Sequence, residues 1–259
     1  MRELSRKKVK VKGRIFGGEK ILICLPLVSN NGKDLLVEAN EIIRLKPDVI
    51  EWRVDYFGNL NYDDHSELFK SMKSLEKITK NIPVIFTCRH FDEGGHKKIG
   101  QEDRIKIIKK SLESGLADIV DVEMINNKEF IEEIKNLVIK YKKHLILSHH
   151  NFNETPDEEF ILNKIIEGER LGADITKLAV MANSYEDVLK LFNATYRAKS
   201  KEVDIPIITM SMGDYGKITR VFGEYFGVDM TFAVGKSVSA PGQIPVDKVR
   251  KILKLMNSI

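Results

Sequence analysis

The stretch Ala173-Asp-Ile-Thr-Lys-Leu-Ala-Val180 has the length of one β-strand, and its apolar residues fall on both sides of a period-two alternation. It reads as a strand buried on both faces, yet Lys177 sits inside it. Segments of the same kind recur along the chain at Ile21–Val28, Val49–Val54, Pro83–Cys88, Ala117–Met124, His144–Ser148, Ile205–Met210 and Met230–Val234. Their starts lie roughly 25 to 35 residues apart, the spacing of strand–helix units rather than of hairpins.

The intervening segments carry helical periodicity. Asp34–Lys46 gathers Leu35, Leu36, Ala39, Ile42, Ile43 and Leu45 on a broad face. Lys128–Tyr141 does so with Phe130, Ile131, Ile134, Leu137 and Val138, and Ser184–Ala198 with Val188, Leu189, Leu191, Phe192 and Tyr196. Ser184 is placed to cap its helix, and Val246–Met256 forms a last amphipathic helix after Pro245. Strands alternating with helices predict a parallel α/β sheet. Eight such units in about 240 residues match a (β/α)₈ barrel, the TIM-barrel architecture. An open doubly wound sheet is the competing arrangement. It calls for a glycine-rich phosphate turn after the first strand, which Pro26-Leu-Val-Ser-Asn-Asn-Gly32 does not supply. Residues 1–20 fit no unit; Val9, Val11, Ile15 and Phe16 with Gly17-Gly18 predict a hairpin closing the bottom of the barrel. No linker or low-complexity tract divides the chain, so one domain is expected over 1–259.

Composition narrows the function. The 259 residues are 42% hydrophobic and 31% charged, as in globular proteins. The longest apolar run, Ile21–Val28, is far below the roughly 20 residues that cross a bilayer, so no membrane partner is expected. The basic N-terminus, MRELSRKKVK, has no apolar stretch behind it and does not read as a secretory signal. Only Cys24 and Cys88 occur, both in apolar runs, which excludes a disulfide framework and points to a cytoplasmic protein. A net charge of +4, with basic residues scattered among 38 acids, suits an anionic small molecule and does not point to nucleic acid.

Barrel enzymes place their chemistry at the carboxyl ends of the strands. Those ends hold Glu51 and Arg53 on one face opposite Trp52, then Arg89 before a Phe91-Asp-Glu-Gly-Gly95 loop. Asp121 and Glu123 share a face on the fourth strand, and His149-His150 end the fifth. Lys177 lies on the sixth, Met212-Gly213 and Arg220 follow the seventh, and the small-residue loop Gly235–Gln243 follows the eighth. Any one of these reads equally well as a solvated rim residue or a structural ion pair. Converging on one mouth, they must satisfy one another or a ligand, because unpaired buried charge is costly.

A lysine on a barrel strand, flanked by apolar residues and facing arginines, is expected to surrender its proton readily. A neutral amine attacks a ketone to form a Schiff base, and a nearby histidine moves protons. The set predicts imine chemistry on an anionic, hydroxylated ketone. Metal hydrolases on this fold pair two histidines across one position on the first strand; here that strand has none and His149 and His150 are adjacent, expected to point to opposite sides. No metal is expected.

These residues resemble type I 3-dehydroquinate dehydratases from about Ile21 to the last helix. The marks are Glu51-Trp-Arg-Val-Asp55, Thr87-Cys-Arg89 with Glu93-Gly-Gly95, Ser148-His-His-Asn-Phe152 with Thr155-Pro156, Asp174–Met181, and Ser239-Ala-Pro-Gly-Gln243-Ile. The resemblance implies a cofactor-free syn elimination of water from 3-dehydroquinate, giving 3-dehydroshikimate, in the shikimate pathway. It implies Lys177 as the Schiff-base lysine, His150 as general base and acid, and Glu93 as the carboxylate that orients the histidine and supports its charged form. Arg220 would grip the substrate carboxylate, Glu51, Arg53 and Arg89 would receive ring hydroxyls, and Ser239 and Gln243 would belong to a closing loop. A homodimer is also implied. His149 departs from the family pattern, and Asp121 and Glu123 carry no individual step. A Schiff-base aldolase on the same barrel, with a phosphate site near the last two strands, is the alternative lyase; a non-catalytic binding protein is the other class.

Overall fold

On every barrel strand, the residue pointing inward near the amino end is apolar, and the next inward positions on several strands are polar. The computed structural model describes residues 2–58 and 66–256. Its parallel strands are β3 (Leu22–Leu27), β4 (Val49–Arg53), β5 (Val84–Thr87), β6 (Ile119–Glu123), β7 (His144–Asn151), β8 (Ile175–Met181), β9 (Ile207–Met212) and β10 (Met230–Phe232). The sheet order β10-β3-β4-β5-β6-β7-β8-β9 follows the chain around a barrel. At the seam between β9 and β10, the Asp229 amide donates to the Ile207 carbonyl at 2.8 Å. The Ile207 amide donates to Asp229 Oδ2 at 2.7 Å. The (β/α)₈ expectation holds.

Each strand is followed by its helix: α1 (Gly32–Arg44), α2 (Ser66–Ile78), α3 (Gln101–Glu113), α4 (Lys128–Lys140), α5 (Glu158–Arg170), α6 (Tyr185–Arg197), α7 (Gly213–Phe222) and α8 (Val246–Met256). Ser184 does cap α6, its side chain accepting from the Asp187 amide. The outward positions of the strands, such as Ile50, Trp52, Phe86, Val120 and Leu147, pack with Leu35, Ile42, Leu68 and Ile107 of the helices in one apolar shell.

Inside, Leu22, Val49, Ile85, Ile119, Ile146, Ile175, Ile208 and Met230 form the bottom layer. The hairpin of β1 (Val9–Val11) and β2 (Arg14–Phe16) lays Val9, Val11 and Phe16 against that layer and closes the lower mouth. Above it the same alternation brings Glu51 and Arg53, Thr87, Asp121 and Glu123, Ser148, and Lys177 inward, all buried.

Two strands run further than their apolar content indicates. β7 continues to Asn151 because β8 keeps pairing with it, His149 against Leu178 and His150 against Ala179. β9 continues to Met212, which turns Met210 and Met212 toward the upper mouth.

Candidate active site

Lys177 is central to the polar upper layer. Its Nζ lies 2.7 Å from Asp121 Oδ2 and 3.3 Å from Glu51 Oε1, and 4.7 Å from the centre of the Phe232 ring. The expectation that it faces arginines is corrected by this geometry: its immediate charged partners are carboxylates, and Arg89 stands behind them. Arg89 Nη2 donates to Asp121 Oδ2 at 2.9 Å, and Nη1 reaches Asp121 Oδ1, Glu123 Oε1 and Ser148 Oγ at 3.1, 2.7 and 2.9 Å. Burial alone would raise the Asp121 carboxyl; Arg89 and Lys177 outweigh it and hold it well below the usual carboxylate range. Glu123 is clamped from its other side by Arg104 of α3 at 2.6 Å. Sequence reasoning passed over Arg104 because a single arginine on a polar helix has no distinguishing mark.

The second group is histidine and acid. β6 stops at Glu123, opposite Ser148, so the edge of β7 beyond Ser148 is open on that side. Glu93, in the turn after β5, fills it: Oε2 accepts the His150 amide at 2.8 Å and lies 2.9 Å from His150 Nδ1. Gly94 makes this approach possible, with φ at +83° and the Phe152 ring where a Cβ would stand. Burial pushes Glu93 up, but His149 and His150 overcome it and hold the carboxyl down at about 2. Glu93 is therefore ionised and can only accept, so Nδ1 of His150 carries the hydrogen and Nε2 keeps a lone pair. Burial first, then the charge of Arg89, pushes His150 down to about 4, against the opposing pull of Glu93. Glu93 thus fixes the tautomer of the ring, and its pull toward the charged form is outweighed by burial and Arg89.

His149 does not line the cavity, but Glu93 at the strand edge is within its reach as well. Its Nδ1 lies 3.5 Å from Glu93 Oε1.

Arg53 is held by Asp55 through Nε and Nη2 at 2.9 and 2.8 Å, and Nη2 also donates to the Gly94 carbonyl at 3.1 Å. Asp55 was given no role from the sequence; the Arg53-x-Asp55 spacing is the signal that could have found it. Glu51, Arg53, Arg89, Glu93, His150, Lys177, Ser239 and Gln243 line one cavity at the upper mouth, with Phe152, Ala179, Met210, Met212, Phe232 and Ala240 as its apolar wall. Ser239 and Gln243 bond each other, the Ser239 amide to Gln243 Oε1 at 2.9 Å and Gln243 Nε2 to Ser239 Oγ at 3.0 Å, which fastens the loop after β10.

Arg220 is the one expected site residue set back from the cavity. It lies behind Met210 and Phe232, with Nη2 donating to the Pro241 carbonyl at 3.0 Å. It has no carboxylate partner among the described residues, its Nε has no hydrogen bond, and burial pushes it down to about 10. Asp214, where an aldolase of this fold would hold phosphate, is exposed and paired with Lys217. No group of three potential metal ligands occurs among the described residues.

The profile of type I 3-dehydroquinases matches residues 23–259. The chain belongs to that family. A 3-dehydroquinate dehydratase of Geobacillus sp. strain WCH70 is 39% identical over 254 residues, covering 98% of this chain and 96% of the relative. The crystal structure of the Geobacillus kaustophilus 3-dehydroquinate dehydratase superposes with a TM-score of 0.94 at 39% identity, over 99% of this chain and 98% of that one. The type I enzyme of Clostridium difficile, solved with covalently modified comenic acid, superposes at 0.92 with 40% identity, over 97% of this chain and 99% of that one. Type I 3-dehydroquinases are hydro-lyases of the shikimate pathway that work through a Schiff base.

Proposed function

We propose that Lys177, His150 and Glu93 carry the family's dehydration of 3-dehydroquinate in this chain. The observation that supports it is the meeting, in one cavity, of a strand-borne amine and a neutral histidine whose Nδ1 is locked on Glu93.

His150 Nε2 takes a proton from the Lys177 ammonium, the freed amine adds to the C3 ketone, and the proton returns to the carbinolamine hydroxyl, which leaves as water to give a protonated imine. The positive charge is conserved from ammonium to iminium, so Asp121 and Glu51 hold it in both states. His150 Nε2 takes a proton from C2, and the electron pair moves into the iminium to give an enamine. The enamine pair then returns, the C1–O bond breaks, and His150 gives its proton to the departing hydroxyl, which leaves as water. One group taking and returning the proton on one face gives the syn course. Water then hydrolyses the protonated imine, releasing 3-dehydroshikimate and restoring the ammonium. Arg220 takes the substrate carboxylate, for which a buried guanidinium without a protein carboxylate is suited. Glu51 and Arg53 receive ring hydroxyls. Arg89, its amino groups engaged by Asp121, Glu123 and Ser148, acts by holding that floor together.

A single domain, a homodimer and a cytoplasmic location complete the reading. No helix among the described residues is long and apolar enough to cross a membrane. Borohydride reduction in the presence of 3-dehydroquinate, followed by intact mass and peptide mapping, tests the assignment. The expected result is a single adduct on Lys177; an active enzyme with no adduct there overturns it.

A further inference from the structure

We propose that His149 is a positioning residue for this reaction: it secures the second oxygen of Glu93 so that the first stays on His150. The inference rests on the roles given above to Glu93 and His150.

The two oxygens of Glu93 are held unequally. Oε2 takes the His150 amide and faces Nδ1 of the ring, whereas Oε1 is buried and has no hydrogen bond. His149 Nδ1 faces Oε1 at 3.5 Å, within ion-pair reach and longer than a hydrogen bond. Both contacts follow from the place of the carboxylate at the open edge of β7. An acceptor at a strand edge lies between the two faces, within reach of consecutive side chains that strand alternation sends apart.

A carboxylate held through one oxygen can turn about its last bond and release Nδ1. The imidazole would then lose both its orientation and the group that fixes its proton. A donor on Oε1 prevents the turn. The His149 ring is set for this from its outer side, where it packs against Phe160 of α5 with centroids 5.7 Å apart and a 60° tilt. A shift of about half an ångström closes the contact to hydrogen-bond length, a tightening common when catalytic groups engage substrate.

The test is a double-mutant cycle with separate kcat and KM. His149→Ala is expected to lower kcat about fivefold to tenfold with KM changed less than about twofold, and to leave the Lys177 adduct forming in full. His149→Gln, which keeps an N–H donor, is expected to recover most of the loss. In a Glu93→Gln background, His149→Ala is expected to cost nothing more, because the oxygen it secures no longer belongs to a carboxylate. Circular dichroism melts establish that each variant is folded. Full kcat in His149→Ala, or an undiminished further loss in the Glu93→Gln background, overturns the proposal while leaving Glu93 and His150 in place. Full kcat in Glu93→Gln removes the role of Glu93 itself, and the proposal with it.

Discussion

Lys177 and Asp121 are paired at 2.7 Å inside the barrel, from strands β8 and β6 that have β7 between them. The lysine has to give up a proton in this pairing to act as a nucleophile and returns to it as an iminium. Because Arg89 holds Asp121 by both oxygens, the carboxylate stays in place when the lysine changes.

Lys177→Ala is expected to fold, since Arg89 still compensates Asp121, and to lose activity by at least about 10⁴-fold, the scale seen when a covalent nucleophile is removed. The check is steady-state turnover beside a thermal melt. Ordinary activity in a folded variant defeats the Schiff-base assignment.

His150→Ala separates two stages. Imine formation needs an amine and a bound ketone, so a borohydride-trappable adduct still accumulates slowly. Elimination loses its proton carrier and falls about 10²–10⁴-fold. Intact mass against time with and without borohydride reads both. The opposite pattern, with His149→Ala inactive and His150→Ala nearly normal, would move the base by one residue.

Acid should act on kcat/KM late. His150, pushed down to about 4, stays neutral until the pH approaches that value, so the acid limb is expected near 4 and not at the 6.5 of a free imidazole. Stability follows with a definite sign. The unfolded chain binds a proton on His150 near 6.5 and the folded one near 4; for Glu93 the values are 4.5 and about 2. In both windows the unfolded state takes up more protons, so stability falls as pH falls through them. An acid limb centred above 6 would contradict the His150 environment.

Arg220 and Arg89 are expected to respond oppositely to removal of charge. Arg220→Met relieves a buried cation that no described carboxylate compensates, so the melting temperature rises or holds. Its kcat/KM falls roughly 10²-fold, mostly through KM, as the substrate carboxylate loses its partner. Arg89→Met leaves Asp121 to Lys177 and Glu123 to Arg104, so that two cations face the three buried carboxylates Glu51, Asp121 and Glu123, and is expected to cost about 3–5 kcal/mol of stability. Denaturant melts and substrate titrations on the two variants decide the matter. A destabilised Arg220→Met would mean that the guanidinium is compensated where it stands.

The barrel and the inward row were readable because strand alternation and burial are local rules. One apolar run holding a lysine marked Lys177, and Glu51 and Arg53 were assigned to one face correctly. What sequence could not supply was lateral placement across the barrel. It set Lys177 against arginines, whereas the tilt and register bring Asp121 and Glu51 to it first. Alternation set His149 and His150 on opposite sides of the strand, but it says nothing of an acceptor arriving at the strand edge within reach of both. Arg220 comes from α7, and no periodicity tells whether such a residue reaches past Met210 and Phe232 into the cavity.

The start of the described chain is anchored to its far end. Arg2 and Ser5 reach Asp229 just before β10, and Lys199, following α6, bonds the same carboxylate at 2.7 Å. β3, the first barrel strand, is hydrogen-bonded to β10, the last. During synthesis the early strands therefore wait for a partner that emerges some two hundred residues later, with their edge and lower mouth uncovered. The interval before residue 232 leaves the ribosome is the period in which this protein is most exposed to aggregation and most in need of a chaperone.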